Sequence, residues 1–259
     1  MPLSSPLPSA GPARRDARLR LRLPDARATT LHVAAFAQDR IRLRVAALSA
    51  PCRLGAWCAE AGVADAIVGG FFVRPQGMPL GELWIRGRRR GFEPFDAPWG
   101  DLRACVAVDS AGVRVARRPQ LPRTPGPGGD LLQAGPLLVE HGRNVVAGSA
   151  DPEGFSAGAR QFDSDITAGR YPRAALGVGE GRLLAVACDG RSSDEAGLSL
   201  TELADAMVGL GAREAINLDG GGSASLVTDG ALRNRPREEH GLELLGGREI
   251  STALIFDPA

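Results

Sequence analysis

Short apolar segments separated by turn residues restrict most strongly what this sequence can fold into. In residues 41–45, apolar side chains alternate with arginines, which is the pattern of a strand with one buried face. Turn residues at 109–112, 179–181 and 228–231 predict hairpins between neighbouring strands. Strands are predicted over residues 31–36, 41–45, 66–72, 82–86, 104–108, 113–116, 137–139, 174–178, 182–188, 215–218 and 252–256.

Helices are few in this pattern. Residues 53–61 predict a short one, and residues 199–210 predict a second one with stronger signals. Ser199 and Glu202 have the spacing of a capping box, and Gly211 fits the position after the helix end. Many strands, few helices and no strand–helix alternation predict an α+β fold with a mixed, largely antiparallel sheet core.

The domain organisation follows from the composition along the chain. Residues 1–27 are rich in proline, serine and alanine and then in arginine, which predicts a loose N-terminal tail. Residues 28–259 are expected to form one domain. Residues 119–129 contain four prolines and three glycines, so they are either a long surface loop or an internal domain boundary.

Charge and composition exclude several classes of function. The formal net charge is +1, which gives no electrostatic reason to expect nucleic acid or an anionic membrane as a partner. The sequence contains no lysine, so Schiff-base chemistry is excluded. No apolar run approaches the roughly 20 residues that span a bilayer, and no apolar signal-peptide region is seen. With four cysteines in no zinc-binding pattern, we expect a cytoplasmic protein with reduced thiols.

The most unusual polar segment is residues 215–227, in which an apolar run ends in an acid and three glycines follow. In an extended chain Asn217 and Asp219 share one face. Consecutive glycine N–H groups can form an anion-binding concavity. The alternative is a glycine turn in which Asp219 only bonds its own backbone.

Two other strand ends carry charged residues. Arg173 lies at the entrance of one strand, and Asp189 and Arg191 follow the exit of its hairpin partner. In an antiparallel pair the start of one strand lies beside the end of the next. We therefore predict that these residues and Asp219 converge on one pocket, with the glycine-containing strand at 69–72 as a wall.

Five motifs in this order resemble the phosphodiester glycosidase family, whose bacterial members often carry an exopolysaccharide-biosynthesis label. The resemblance covers roughly residues 30–257, and its motifs are Gly69-Gly70-Phe71-Phe72, Ala134-Gly135-Pro136-Leu137-Leu138-Val139, Pro172-Arg173-Ala174-Ala175-Leu176-Gly177, Asp189-Gly190-Arg191 and Asn217-Leu218-Asp219-Gly220-Gly221-Gly222-Ser223. It implies a single domain that hydrolyses the glycosidic bond of a sugar-1-phosphodiester, with a small molecule or glycan as substrate.

The resemblance also implies roles for particular residues. Asp219 and Asp189 would be the catalytic carboxylates, assisted by Arg173, while Arg191 and Arg173 would grip phosphate oxygens. Asn217 would bond sugar hydroxyls or orient Asp219. The remaining substrate-binding positions would be Gly220, Gly221, Gly222, Ser223, Gly70 and Gly135.

The sequence departs from the family pattern at two positions, which leaves other functions open. Val68 stands where relatives often have asparagine, and Ala174 stands where threonine is common. A sugar-phosphate-binding domain without turnover is therefore the alternative. A serine hydrolase using Ser223 or Ser225 is disfavoured, because the G-x-S-x-G pattern is absent and the helix precedes the serines.

No cofactor is expected. The histidines lack the spacing of a zinc site. Aspartates leave a calcium or magnesium site open but unsupported, and these are Asp163, Asp165, Asp189 and Asp219. Nothing in the sequence indicates an oligomeric state.

Overall fold

A computed structural model describes residues 13–146, 151–156, 166–167 and 169–259. Its helices are α1 (Leu54–Ala61) and α2 (Leu200–Gly209). Its strands, in chain order, are β1 (Arg14–Arg22), β2 (Ala28–Ala37), β3 (Ile41–Arg53), β4 (Ala66–Val68), β5 (Phe72–Val73), β6 (Met78–Pro79), β7 (Leu83–Ile85), β8 (Arg88–Arg89), β9 (Ala104–Asp109), β10 (Gly112–Arg117), β11 (Asp130–Gln133), β12 (Leu137–Glu140), β13 (Arg143–Asn144), β14 (Arg173–Gly179), β15 (Arg182–Cys188), β16 (Glu214–Asn217), β17 (Leu226–Thr228), β18 (Ala231–Leu232) and β19 (Glu249–Pro258).

These strands form three main sheets. The largest has the order β1-β2-β15-β14-β16-β12-β13, and the others have the orders β10-β9-β11-β7-β8 and β18-β17-β4-β19-β3. Strands β5 and β6 pair separately. The ladders between the described strands are antiparallel. The predicted single-domain α+β fold with few helices and largely antiparallel sheets is confirmed.

The two faces of the large sheet bury different cores because side chains alternate along each strand. Ala34 and Phe36 of β2 face the two smaller sheets, and the Phe36 ring stacks on Phe256 of β19 at 4.1 Å between centroids. Val33 and Ala35 of the same strand face the opposite way, into the core that α2 covers. The sheet is therefore sandwiched between a β layer and a helix.

Helix α2 begins and ends where its sequence signals place it. The Ser199 hydroxyl accepts from the Glu202 N–H at 3.2 Å, and the Glu202 carboxylate accepts from the Ser199 N–H at 3.0 Å. Gly211, just beyond the helix, has a φ of 93°, which glycine adopts at little cost. The predicted capping box is confirmed.

The predicted N-terminal tail is wrong for residues 14–22. They form β1, which pairs with β2 over its whole length. Ala17, Leu19 and Leu21 point toward the helix-side core, and arginines alternate with them toward solvent. The high arginine content of this segment masked an ordinary half-buried strand.

Residues 119–129 lie within one sheet and not between two domains. They connect β10 to β11, and both of these strands pair with β9. Asp130 at the end of the loop accepts the Val45 N–H at 2.9 Å and the Arg86 N–H at 2.6 Å. These bonds attach the loop end to β3 and to the turn after β7.

Candidate active site

A cavity of about 620 Å³ lies beyond the ends of β14 and β16. Charged and aromatic side chains dominate its lining. The basic group is Arg74, Arg173, Arg191 and Arg248; the acidic group is Glu93, Asp219, Glu238 and Glu239; the aromatic group is Phe71, Phe72 and Tyr171.

The pairing of β14 with β16 brings Arg173 and Asp219 to the same end of the sheet. Ala175 is opposite Asn217, so continuing this antiparallel register by two residues places Arg173 opposite Asp219. Two bonds continue the contact past the strands: Leu218 N–H donates to Ala174 O at 2.9 Å, and Gly221 N–H to Pro172 O at 2.8 Å. The two strands are therefore neighbours in the sheet, which is the condition for Asp219 to lie beside Arg173.

Arg173 is buried and held by main-chain carbonyls. Its Nε donates to Leu198 O at 3.0 Å, and its Nη2 donates to Ile166 O at 2.8 Å. Its guanidinium carbon lies 5.1 Å from the centroid of the Tyr171 ring. These contacts fix the direction of its positive charge at the wall of the cavity.

Arg191 reaches the cavity from the loop that follows β15. Its φ is +59°, and its Nη1 donates to Arg237 O at 3.1 Å. Its guanidinium carbon is also 5.1 Å from the centroid of Tyr171, which is the single tyrosine of the chain. Both arginines thus lie within cation–π distance of one ring, and this contact limits how they can move.

Asp219 is held by hydrogen bonds beside Gly69, the first residue of the predicted wall segment 69–72. Asp219 N–H donates to Gly69 O at 3.1 Å, and its Oδ1 accepts the Gly220 N–H at 2.9 Å. Burial raises the pKa of Asp219 from 3.8 to about 6, although the charges of Arg248 and Arg74 act in the opposite direction. A carboxyl group with this pKa exchanges protons near neutral pH, as a catalytic base or acid does.

The glycine segment does not present an open row of amides to the cavity. Gly220 N–H is bonded to Asp219, Gly221 N–H to Pro172 O, and Ser223 N–H to Gly220 O at 3.0 Å. Gly220 and Gly221 line the cavity, whereas Gly222 and Ser223 are buried. The predicted anion site made of consecutive amides is wrong, because three of these four donors are already bonded, two within the turn and one to Pro172 O.

Asp189 faces a different cavity, so the prediction that it joins Asp219 is wrong. Its carboxylate accepts the Arg235 N–H at 2.6 Å and lies 2.9 Å from His32 Nε2. Both side chains are buried and line a separate cavity of about 400 Å³. Arg191, two residues further along, lines the first cavity because the chain turns between the two positions.

Two other predicted binding residues, Gly70 and Gly135, have packing roles. A side chain at Gly70 would start 2.9 Å from Gln133 O, and one at Gly135 would start 2.8 Å from a Glu153 oxygen. Asn217 lines the cavity, but its Nδ2 donates to Gly135 O at 2.9 Å. The two glycines therefore allow close backbone approach inside the protein.

Several cavity residues had no sequence signal. Arg248 forms two bonds to the Glu238 carboxylate, at 2.7 and 2.5 Å, and its charge favours ionisation of Asp219. Arg74 favours it as well, from the chain after β5. Arg248 lies far from the quoted motifs, whereas Arg74 lies two residues after Phe72, which ends one of them. The three-dimensional fold brings both to Asp219. Tyr171 directly precedes the proline–arginine motif, and this neighbouring position was the available signal.

The serine-hydrolase alternative gains no support. Ser223 and Ser225 are fully buried. Ser225 Oγ has no hydrogen-bond partner in the described chain, and the Ser223 hydroxyl lies beside the Asp219 carboxyl, where it lowers the pKa of that group. His32 is engaged with Asp189. Among the described residues, no hydrogen bond joins a histidine to either serine, so a nucleophile–base pair is not assembled there.

No cluster of metal-ligating side chains occurs in the residues that the structure describes. Asp163 and Asp165, two of the acids considered for a divalent cation, lie outside those residues. Within the same part of the chain, no helix has the length and apolar character to cross a bilayer.

A buried carboxyl of raised pKa among arginines, in a cavity of an antiparallel α+β domain, is a candidate active site. Residues 61–256 match the sequence profile of the phosphodiester glycosidases. The match covers more than half of the chain, and the protein therefore belongs to the phosphodiester glycosidase family.

Solved structures agree on the fold. The catalytic domain of zebrafish N-acetylglucosamine-1-phosphodiester alpha-N-acetylglucosaminidase, auto-inhibited by its pro-peptide, is similar with a TM-score of 0.71 and 19% identity. The similarity covers 97% of this chain and 85% of that one. A hypothetical protein from Synechocystis has a TM-score of 0.66 and 19% identity, over 94% of this chain. This chain covers 62% of the Synechocystis protein. A search of curated proteins found no match.

Proposed function

We propose that the protein hydrolyses the glycosidic bond of a sugar-1-phosphodiester in the cavity around Asp219. Water would add to the anomeric carbon, and the bond from that carbon to the phosphate oxygen would break with its electron pair leaving on the phosphate. The products are a free sugar and a phosphate monoester. Family membership and the glycosidase named for the zebrafish structure support this reaction class.

The observation that carries the proposal is a single carboxyl of raised pKa facing a cavity with four arginines. A phosphate monoester is a good leaving group and needs little proton donation, since its second pKa is near 6. It does need positive charge, which Arg173 and Arg191 supply in fixed positions. One carboxylate can therefore be enough, and Asp189 is not required at the reacting bond.

Asp219 acts in its ionised form, either on water as a base or on the anomeric carbon as nucleophile. As nucleophile it would contact the anomeric carbon directly, and as base it would act through one water between the carboxylate and that carbon. The charges of Arg248 and Arg74 favour that ionised form, so they support the reaction without contacting the reacting bond.

The alternative is a domain that binds sugar phosphates without turnover. It is favoured by Val68 at the position where relatives often have asparagine, and by the placement of Asp189 in another cavity. In that case the arginines and Tyr171 would bind the ligand, and the raised pKa of Asp219 would have no catalytic consequence.

A panel of substrates distinguishes the hydrolase from the binding domain without turnover. Purified protein is incubated with α-linked sugar-1-phosphodiesters and with neutral aryl glycosides, with and without a divalent cation, and Asp219→Asn serves as the control. Release of sugar by the wild type and not by Asp219→Asn is expected. Binding of a sugar phosphate by calorimetry with no turnover of any compound would establish the binding-domain alternative.

A further inference from the structure

Asp189 is a buried acid that the proposed reaction does not use. It lines the separate cavity of about 400 Å³, and both of its carboxylate oxygens are engaged there. Oδ1 accepts the Arg235 N–H at 2.6 Å, and Oδ2 lies 2.9 Å from Nε2 of His32. A carboxylate buried to this extent needs such partners, but burial alone does not explain why the acid stands two residues before Arg191.

Arg191 has a backbone conformation that the surrounding chain must hold in place. Its φ of +59° lies in the left-handed region, which residues other than glycine seldom adopt. Such a conformation persists where neighbouring contacts determine it, and it is often found at functional sites. Asp189 supplies two of these contacts from its backbone. Its N–H donates to Thr30 O at 3.0 Å, and its O accepts the Thr29 hydroxyl at 2.7 Å, so the start of the turn is fixed on β2.

The Asp189 carboxylate also bonds the chain segment that holds the other end of Arg191. The Nη1 of Arg191 donates to Arg237 O at 3.1 Å, and Arg237 lies two residues after Arg235, whose N–H Asp189 accepts. Segments 189–191 and 235–237 are therefore joined twice, once by the carboxylate and once by the guanidinium. The backbone of Arg191 and the acceptor of its guanidinium each lie two residues from the bond between Asp189 and Arg235.

Resting on the proposed function, we propose that Asp189 is a positioning residue, which sets the place of the Arg191 guanidinium that binds the substrate phosphate. Its carboxylate keeps segments 189–191 and 235–237 in register, although it lines a different cavity from Arg191. The imidazole of His32 bonds the other carboxylate oxygen and so fixes the plane of the carboxylate.

The other proposed phosphate contact does not depend on this link. Arg173 is held by the carbonyls of Leu198 and Ile166, which belong to neither of the two joined segments. Loss of the Asp189 carboxylate should therefore weaken one phosphate contact through Arg191 and leave the sugar side of the cavity unchanged.

The kcat/KM of Asp189 variants for an α-linked sugar-1-phosphodiester and for a neutral aryl glycoside tests this role. Asp189→Ala should lower the value for the phosphodiester by about 5- to 20-fold and that for the neutral glycoside by less than about 2-fold, since a misplaced guanidinium weakens only phosphate binding. Asp189→Asn should retain most of the activity, because its amide can accept the Arg235 N–H and donate to the His32 ring. Loss of turnover of both substrates in Asp189→Asn would show a catalytic carboxylate and overturn the positioning role.

A double-mutant cycle shows whether Asp189 acts through Arg191. In the Arg191→Ala protein, the further change Asp189→Ala should cost less than about 2-fold in kcat/KM for the phosphodiester. Asp130→Ala is the matched control. Asp130 is also buried and also accepts two backbone N–H groups, from Val45 and Arg86, but it does not line the cavity around the proposed reaction. This control should leave the ratio of the two substrates unchanged.

Thr29→Val keeps the test decisive if Asp189→Ala does not fold. It removes the hydroxyl that bonds Asp189 O and retains the carboxylate, so it should lower the phosphodiester-to-glycoside ratio by about 2- to 5-fold. An unchanged ratio in Thr29→Val would then overturn the inference.

The outcomes separate this inference from the proposed function. If the wild type hydrolyses the phosphodiester and Asp189→Ala keeps its substrate ratio, or if the two changes are additive in the cycle, the inference is overturned and the proposed function stands. If the wild type turns over no phosphodiester, the proposed function is overturned, and calorimetry with a sugar 1-phosphate decides the inference. Weaker binding in both Asp189→Ala and Arg191→Ala would then support it. Equal binding by Asp189→Ala and the wild type, or no binding by the wild type, would overturn it as well.

Discussion

At the residue scale, burial disfavours the charged form of Asp219 and raises its pKa to about 6, while Arg248 and Arg74 limit the rise. Fully buried carboxyls can shift by three to five pKa units. The more moderate value keeps Asp219 largely ionised at neutral pH. At neutral pH most Asp219 carboxyls are therefore ionised, and each can still take up a proton as a base does.

The first prediction concerns the pH dependence of activity. Because the reaction needs ionised Asp219, kcat/KM should decline as pH falls through about 6, with one proton taken up. A profile from pH 4 to 9 with a sugar-1-phosphodiester measures this. Asp219→Asn should reduce kcat by at least about 10²-fold at all these pH values. A wild-type profile that stays flat down to pH 4 would contradict the role of Asp219.

The second prediction concerns stability. The pKa is higher in the folded protein than in the unfolded chain, so the folded state binds this proton more tightly. The wild type therefore loses stability as pH rises from about 4 to about 6, by at most about 3 kcal/mol. Asp219→Asn has no such penalty, and it should unfold at higher denaturant concentration than the wild type at pH 8.

That difference should vanish below about pH 3, under the pKa of Asp219 in both states, where the wild-type carboxyl is protonated in the folded and the unfolded protein. Asp39→Asn in an exposed turn is the matched control and should show no such pH-dependent difference. Greater stability of the wild type than of Asp219→Asn at pH 8 would mean that Asp219 is a stabilising structural acid.

The third prediction separates phosphate recognition from sugar recognition. Arg191→Ala should reduce kcat/KM for a phosphodiester by about 10- to 100-fold, the range of a lost hydrogen bond to a charged group. The loss should be much smaller for a neutral aryl glycoside. Arg22→Ala, an exposed arginine of β1, controls for the change in net charge. Equal losses on both substrates would argue against a phosphate contact.

The cavity that each charged side chain lines was the hardest feature to predict from the sequence. Asp189 and Arg191 are two residues apart in one motif, yet they line different cavities. Sequence spacing alone could not reveal this, because the direction of each side chain depends on the turn between them and on the bonds from His32 and Arg235. The contribution of Arg248 depends in the same way on a loop remote in sequence.

At the element scale, the sequence predicted the elements that depend on hydrogen bonds between residues close together in the chain. The capping box of α2 and the β14–β15 hairpin are both observed. Strand β1 was missed because its order depends on pairing with β2 and on apolar contacts with the helix-side core. Its arginine-rich composition resembles a solvated segment.

The fourth prediction tests the N-terminal cap of α2. The capping residue follows Leu198, whose carbonyl accepts a hydrogen bond from Nε of the cavity residue Arg173. Ser199→Ala should lower the free energy of unfolding by about 1 kcal/mol, which corresponds to about 2–4 °C in Tm for a domain of this size. Thr201→Ala, an exposed hydroxyl in the same turn, is the control and should cost less. A Tm loss no greater than that of the control would mean that the box is not a stabilising cap.

At the scale of the whole molecule, the fold class and family were predictable, and the convergence of the site was predictable in part. Antiparallel pairing of β14 with β16 brings Arg173 and Asp219 together, as the order of strand ends suggested. Which sheet face each remaining side chain uses depends on packing among three sheets. The predicted anion site of consecutive amides failed for a different reason, because three of its four N–H groups are bonded within the protein.

The central claim is that this cavity breaks the bond between the anomeric carbon and the phosphate oxygen. The most direct test is hydrolysis of a sugar-1-phosphodiester in ¹⁸O-labelled water, with both products analysed by mass spectrometry. We predict that the label enters the hydroxyl on the anomeric carbon of the sugar and is absent from the phosphate monoester, and that Asp219→Asn yields neither product. Label in the phosphate would show cleavage of the phosphorus–oxygen bond and would contradict the claim.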